Sequence, residues 1–260
     1  MIDSHCHIDL NQTDVTGLLM RAQLAGVTGM LSVACSVQEY PPLLKLLETY
    51  PTIDGAFGIH PEYAATVPSD EEFCQMISAH PKLVAVGECG LDYHYMAEGK
   101  DIQIQAFERQ IALASRLKKP LIIHTREADS DTISILRTAH KGGLLNAGGV
   151  IHCFTGSQEL ANAALDMGFY ISASGVITFK MSDNVSQVIS SVPLNRLLIE
   201  TDSPYMAPVP YRGKINEPSY VVKTAEKLAE IKGVTIQEIE RITTENYQNL
   251  FKRSGLENGD

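Results

Sequence analysis

Cysteine is scarce and unpatterned in this chain. The five cysteines, Cys6, Cys35, Cys74, Cys89 and Cys153, are an odd number with no CxxC pair and no framework spacing. A disulfide-stapled secreted module is excluded, and free thiols in a reducing compartment are expected. Apolar runs are short as well. None approaches the ~18 residues of a membrane span, and no leader with a basic start and an apolar stretch of about 7–15 residues precedes the first strand. Basic side chains are in the minority, 21 Lys and Arg against 31 Asp and Glu, for a formal charge of −10. That balance argues against a broad cationic track for long duplex nucleic acid, although a nucleic-acid end held in a pocket stays open. Low-complexity segments, heptad runs and a second domain are also missing. The chain therefore reads as cytoplasmic, with no membrane attachment and no obligate protein partner.

What is present is alternation. Short apolar, β-branched runs are expected as strands over Met1–His7, Met30–Cys35, Gly55–His60, Leu83–Glu88, Leu121–His124, Gly149–His152, Tyr170–Ala173 and Leu197–Asp202. Amphipathic helical stretches fall between them over Asp14–Ala25, Pro42–Tyr50, Asp101–Leu117, Asp131–His140 and Gln158–Met167. Alternation of this kind makes a parallel sheet, and eight such units in 260 residues match a single-domain (β/α)8 TIM barrel over residues 1–253. A doubly wound open sheet competes, but the glycine-rich phosphate fingerprint it often carries is absent after the first strand. Lys223–Lys232 reads as a solvated helix face, Ile236–Phe251 as a helix packed on the barrel, and residues 254–260 as a frayed tail.

The residues at the strand ends carry the chemistry. His5 and His7, His60, Glu88, His124, His152, and Glu200 with Asp202 stand at the ends of strands one, three, four, five, six and eight. In a parallel barrel those ends share one rim, the face on which this fold builds active sites. Strand residues two apart share a face, so His5 and His7 project together. Val84, Val86 and Glu88 should do likewise, as should Ile122 with His124, Val150 with His152, and Glu200 with Asp202. Cys6, Cys89 and Cys153, each one residue after a candidate ligand, should point outward as packing thiols. Four imidazoles and two carboxylates exceed what one catalytic cation needs, so two divalent metals are the economical expectation.

Six segments complete the pattern: Asp3-Ser4-His5-Cys6-His7-Ile8-Asp9, Gly58-Ile59-His60-Pro61, Gly87-Glu88-Cys89-Gly90-Leu91-Asp92-Tyr93, His124-Thr125-Arg126-Glu127-Ala128, His152-Cys153-Phe154-Thr155-Gly156 and Glu200-Thr201-Asp202-Ser203-Pro204-Tyr205. In order and spacing they resemble the TatD family of metal-dependent deoxyribonucleases, which belongs to the amidohydrolase-like TIM barrels. The resemblance implies that His5, His7 and Asp202 hold one metal, that His124 and His152 hold the other, and that Glu88 bridges. Glu88 and Asp202 are then the catalytic carboxylates, with Asp202 accepting or relaying a proton, and Glu200 orients a ligand histidine. It also implies Mg-dependent 3′→5′ exodeoxyribonuclease action, and the charge of −10 with few basic contacts makes single-stranded or frayed DNA ends the expected substrate. The loop from Pro204 to Pro218 resembles the family's substrate loop. Its two basic side chains, Arg212 and Lys214, together with His60 and Arg126, are candidate phosphate contacts, while position 215, often basic in relatives, is Ile here. Mg or Mn is the expected physiological metal, although imidazole-rich sites bind Zn, Ni or Co more tightly. Competing readings are an ester or amide hydrolase, such as an aminoacyl-tRNA deacylase, and a metal-loaded nucleic-acid-binding module without turnover.

Overall fold

Eight parallel strands, hydrogen-bonded in the order β1 to β8, curve into a nearly closed barrel with helices outside. The computed structural model describes residues 1–8, 14–95 and 99–251. The tail expected over residues 254–260 lies outside them. The elements run β1 (Ile2–Cys6), α1 (Val15–Leu24), β2 (Gly29–Ala34), α2 (Tyr40–Thr49), β3 (Ile53–Phe57), α3 (Asp70–Ser78), β4 (Leu83–Asp92), α4 (Lys100–Leu117) and β5 (Leu121–Arg126). They continue α5 (Asp129–Lys141), β6 (Gly149–Ile151), α6 (Gln158–Asp166), β7 (Tyr170–Ala173), α7 (Asp183–Ser191), β8 (Leu197–Ile199), α8 (Val221–Lys232) and α9 (Ile236–Leu250).

Two apolar layers hold this arrangement together. Leu31, Val33, Ala56, Val84, Ile122, Val150 and Leu198 fill the barrel interior, and Tyr247, Leu250 and Phe251 of the last helical segment join the same cluster. The Tyr247 hydroxyl donates to Asp54 at 3.0 Å, which pins α9 to the start of β3. A larger second cluster lies between the strands and the helices and includes Phe57, Phe73, Phe107, Phe154 and Phe169. The seam between β1 and β8 is closed with few backbone bonds: a bridge pairs Cys6 with Ser203, and the His7 N–H donates to the Ser203 carbonyl at 2.7 Å. Asp3, wholly buried there, accepts from the Thr201 N–H at 2.9 Å and the Thr201 hydroxyl at 2.6 Å.

Several strand boundaries differ from those read in the sequence. β3, β6 and β8 stop at Phe57, Ile151 and Ile199, so His60, His152, Glu200 and Asp202 sit in the turns just beyond their strands. His60 lies three residues past the end of β3, where its side chain caps the short 3-10 helix that Pro61 opens. β4 runs on to Asp92, four residues past Glu88.

The parity expected for β4 also fails, because Val84 faces the interior cluster while Val86 faces the outer one. Register shifts between Gly55 and Ala56 against β3, and between Val86 and Cys89 against β5, break the alternation. A bulge inserts an extra residue and reverses every later side chain. Cys6 and Cys89 are buried in the outer cluster as packing thiols. Cys153 is not: it follows β6, is half-buried with φ of +40°, and has its sulfur 3.2 Å from the Ser174 hydroxyl. Helices α3 and α7 have no counterpart among the expected stretches. For α3 the signal was nonetheless present, a Ser69–Glu72 capping box.

Candidate metal centre

Glu88 is the hub of the rim. Its Oε1 lies 2.7 Å from His152 Nε2, 2.9 Å from His124 Nδ1 and 3.7 Å from His60 Nε2. Its Oε2 faces the other side, 3.4 Å from His5 Nε2 and 3.9 Å from His7 Nε2. Asp202 closes that second side, with Oδ1 3.5 Å from His7 Nε2 and 3.9 Å from His5 Nε2. Asp202 reaches this place because its φ of +57° turns the chain sharply after β8, a conformation that Asp tolerates better than most side chains.

The imidazoles are oriented from behind. His124 Nε2 lies 3.0 Å from Asp92 Oδ2, His152 Nδ1 3.3 Å from Glu200 Oε1, and His7 Nδ1 3.2 Å from the Val33 carbonyl. Glu200 is itself fixed by the Cys153 N–H at 2.6 Å, and Asp92 by the His94 and Tyr95 N–H groups at 2.9 and 3.1 Å. Gly90 lets β4 and β5 come this close: its φ is +138°, and a side chain there would strike the His124 carbonyl. Such carboxylate or carbonyl partners behind an imidazole set its tautomer and aim.

Burial and charge pull against each other throughout the cluster. Burial favours a protonated Glu88, but the His152 charge and hydrogen bonds from His124, His152 and His5 hold its pKa well below the usual range. Asp202 is also lowered, because His7 and the neighbouring imidazole charges outweigh burial. Burial lowers His5, reinforced by His152, and brings His60 down to about 4. His152 moves the other way, because Glu88 and Glu200 outweigh its burial. Asp92 resists burial through bonds from His124 and backbone amides and falls to about 2.

A cation suits this donor set on the structure's own terms. Sets of ligand atoms within 4.8 Å of one another occur at His5, His7 and Asp202, at His60, Glu88 and His124, at His7, Cys35 and Glu88, and at His5, His152 and Glu200. His5 and His7 aim Nε2 atoms at each other 3.2 Å apart, and His5 Nδ1 is buried without a hydrogen-bond partner. Imidazoles crowded round carboxylates are a poor apolar core but a good shell for divalent ions. His60, expected as a phosphate contact, stands within reach of Glu88 and His124 as a further nitrogen donor.

The basic residues lie farther out. The Arg126 guanidinium covers the Tyr95 ring at 4.7 Å, beside a cavity of about 250 Å³ lined by His60, Glu62, Asp92 and Tyr95. Arg212 stacks on Phe179 at 3.8 Å and Lys214 lies 5.8 Å from the centre of the Tyr211 ring. Neither pairs with a carboxylate of the cluster among the described residues. Asp92 and Cys35 were missed in the sequence reading although both were within its reach. Asp92 falls on the Glu88-Gly90-Asp92 alternation, and Cys35 on Leu31-Val33-Cys35.

An eight-stranded α/β barrel with converging imidazoles and carboxylates at the C-terminal ends of its strands has the layout of a metal-dependent hydrolase. The chain belongs to the TatD family of metal-dependent hydrolases: a family model described as "TatD related DNase" matches residues 2–252. It is 41% identical over 255 residues to the Bacillus subtilis "uncharacterized metal-dependent hydrolase YabD", covering 97% of this chain and 99% of that protein. It is 32% identical over 245 residues to the Salmonella typhimurium "3'-5' ssDNA/RNA exonuclease TatD", covering 92% of this chain and 93% of that one. Among solved structures, YJJV, a TatD homologue from Escherichia coli, superposes with a TM-score of 0.88 at 30% identity, covering 96% and 97% of the two chains.

Proposed function

We propose that this protein is a two-metal phosphodiesterase that removes nucleotides from the 3′ end of single-stranded or frayed DNA in the cytoplasm. The observation that carries the reading is Glu88, a buried carboxylate whose two oxygens face separate imidazole sets, His124 with His152 and His5 with His7. A carboxylate shared in this way suits a pair of cations about 3.5–4 Å apart. The Salmonella relative named as a 3′-5′ exonuclease supports the substrate class. No described helix is long and apolar enough to cross a membrane.

His5, His7 and Asp202 would hold one ion and His124 with His152 the other, with Glu88 between them and His60 within reach of the second. Bound divalent ions would polarise the phosphoryl oxygens and make a water acidic enough to attack near neutral pH. Asp202, ionised and on the solvent side of His5, takes the proton of the attacking water. Asp92 and Glu200 keep His124 and His152 turned inward. Arg126, stacked on the exposed Tyr95 ring, meets a phosphate at the mouth of the cavity. Arg212 and Lys214 add charge farther along the rim, so few phosphates are neutralised in all.

The test follows end-labelled linear and circular single-stranded DNA of one sequence, beside an aminoacyl-tRNA ester, with Mg, Mn or Zn added to metal-stripped protein. Stepwise shortening of the linear strand from its 3′ end, with the circle intact, is expected. Equal cleavage of the circle refutes end dependence, and selective cleavage of the ester moves the protein to a deacylase.

A further inference from the structure

Cys35 has no part in the roles assigned above, yet its side chain stands at the same rim. It follows β2 directly, and its alternation with Leu31 and Val33 places it in the barrel-interior cluster. Its backbone is held on both sides: the Cys35 N–H donates to a Glu39 carboxylate oxygen at 2.8 Å, and its carbonyl accepts from the His60 N–H at 3.0 Å. The thiol is buried, with its sulfur 3.5 Å from Glu88 Oε2. That sulfur, a Glu88 oxygen and a His7 ring nitrogen all lie within 4.8 Å of one another. His7 satisfies Nδ1 at the Val33 carbonyl, which leaves Nε2 to offer its lone pair to the same space.

We propose that Cys35 is a metal ligand. Together with His7 and Glu88 it makes one position of the centre thiophilic, so the protein selects Zn, Co or Cd over Mg there. Sulfur decides the preference, because thiolate favours the softer ions while Mg demands oxygen ligands and keeps its waters. Binding displaces the thiol proton to solvent, as any coordinating cysteine requires. Cys35 differs in this from Cys6 and Cys89, which are buried in the outer packing layer away from the imidazoles. The inference rests on the metal-dependent reading of the site but does not depend on the substrate.

X-ray absorption of the wild-type protein loaded with Zn separates the two. A sulfur scatterer at about 2.3 Å is expected in the first shell, beside nitrogen and oxygen at about 2.0–2.2 Å. Zn bound through nitrogen and oxygen alone overturns the inference and leaves the metal site standing. Failure to bind Zn at all overturns both. Cys35→Ser should lose the sulfur shell and weaken Zn binding by about 10-fold or more. Cys153→Ser, which alters the half-buried thiol beside the Ser174 hydroxyl, should keep the sulfur. Loss of the sulfur in Cys153→Ser, or its persistence in Cys35→Ser, overturns the assignment. If Cys35→Ser does not fold, the wild-type shell and the Cys153→Ser protein still decide.

Discussion

Replacing Glu88 by Gln should uncouple the fold from its metals, because one carboxylate serves both halves of the cluster. Each Glu88 oxygen faces its own imidazoles, within 2.9 Å for His124 and His152 and 3.4 Å for His5. An amide keeps the shape but offers neither the charge nor two acceptor oxygens. A ligand that binds only the folded state stabilises it by about 2.7 kcal/mol at a concentration 100 times its Kd. For a domain of this size about 1 kcal/mol raises the melting temperature by about 2 °C or slightly more, so each ion should add about 5 °C. The wild-type protein titrated with Mn should therefore rise by about 10 °C once both positions fill. Asp202→Asn, which touches only the His5–His7 side, should keep about half of that rise. Glu88→Gln should lose nearly all of it while melting near the metal-free wild type. Scanning calorimetry with metal analysis of the same samples reads both numbers. A Glu88→Gln protein that still gains the full increment and binds two ions would refute the bridging geometry.

Asp92→Ala should reduce metal affinity and turnover about 10–100-fold with little loss of stability, because the strand end stays pinned by Gln103 through the Asp92 backbone; metal titration and thermal melting check the two halves. Asp3 is buried, and burial raises its pKa to about 8 despite the Thr201 hydrogen bonds, against an ordinary value of 3.8. A carboxyl raised in the fold contributes stability that is complete below its ordinary pKa and lost as pH rises through the folded one. Asp3→Asn should therefore gain on the wild type by about 1.4 kcal/mol per pH unit between about pH 5 and 7, levelling off above about pH 8, and denaturant melts showing a constant difference would contradict this. Arg126→Ala should raise KM for single-stranded DNA more than it lowers kcat, and the dependence of binding on salt should be shallow; a steep salt slope would mean that a longer cationic track exists.

How much of this was visible before folding depends on which constraint each residue obeys. The barrel follows from eight alternating units, and the rim cluster follows from polar residues recurring at the ends of apolar runs. Neither needs a side-chain coordinate. Parity was the weaker tool. It assumes an unbroken pleat, and β4 breaks it twice, so Glu88 is inward although Val86, two residues earlier, is packed outward. Bulges depend on how neighbouring strands settle their register around a closed barrel, which is information no single strand carries. Asp92 was lost for a simpler reason, since ending the strand at its first chemically useful residue hid the next one on the same alternation. The same habit hid Cys35: read as one of five thiols with no spacing pattern, it carried no signal, whereas its place at a strand end beside His7 and Glu88 puts it among candidate ligands. Position on the rim, rather than residue type or motif, is what the sequence under-reports. In a fold whose chemistry sits where strands stop, the residues just past each stop carry more functional information than the strands that aim them.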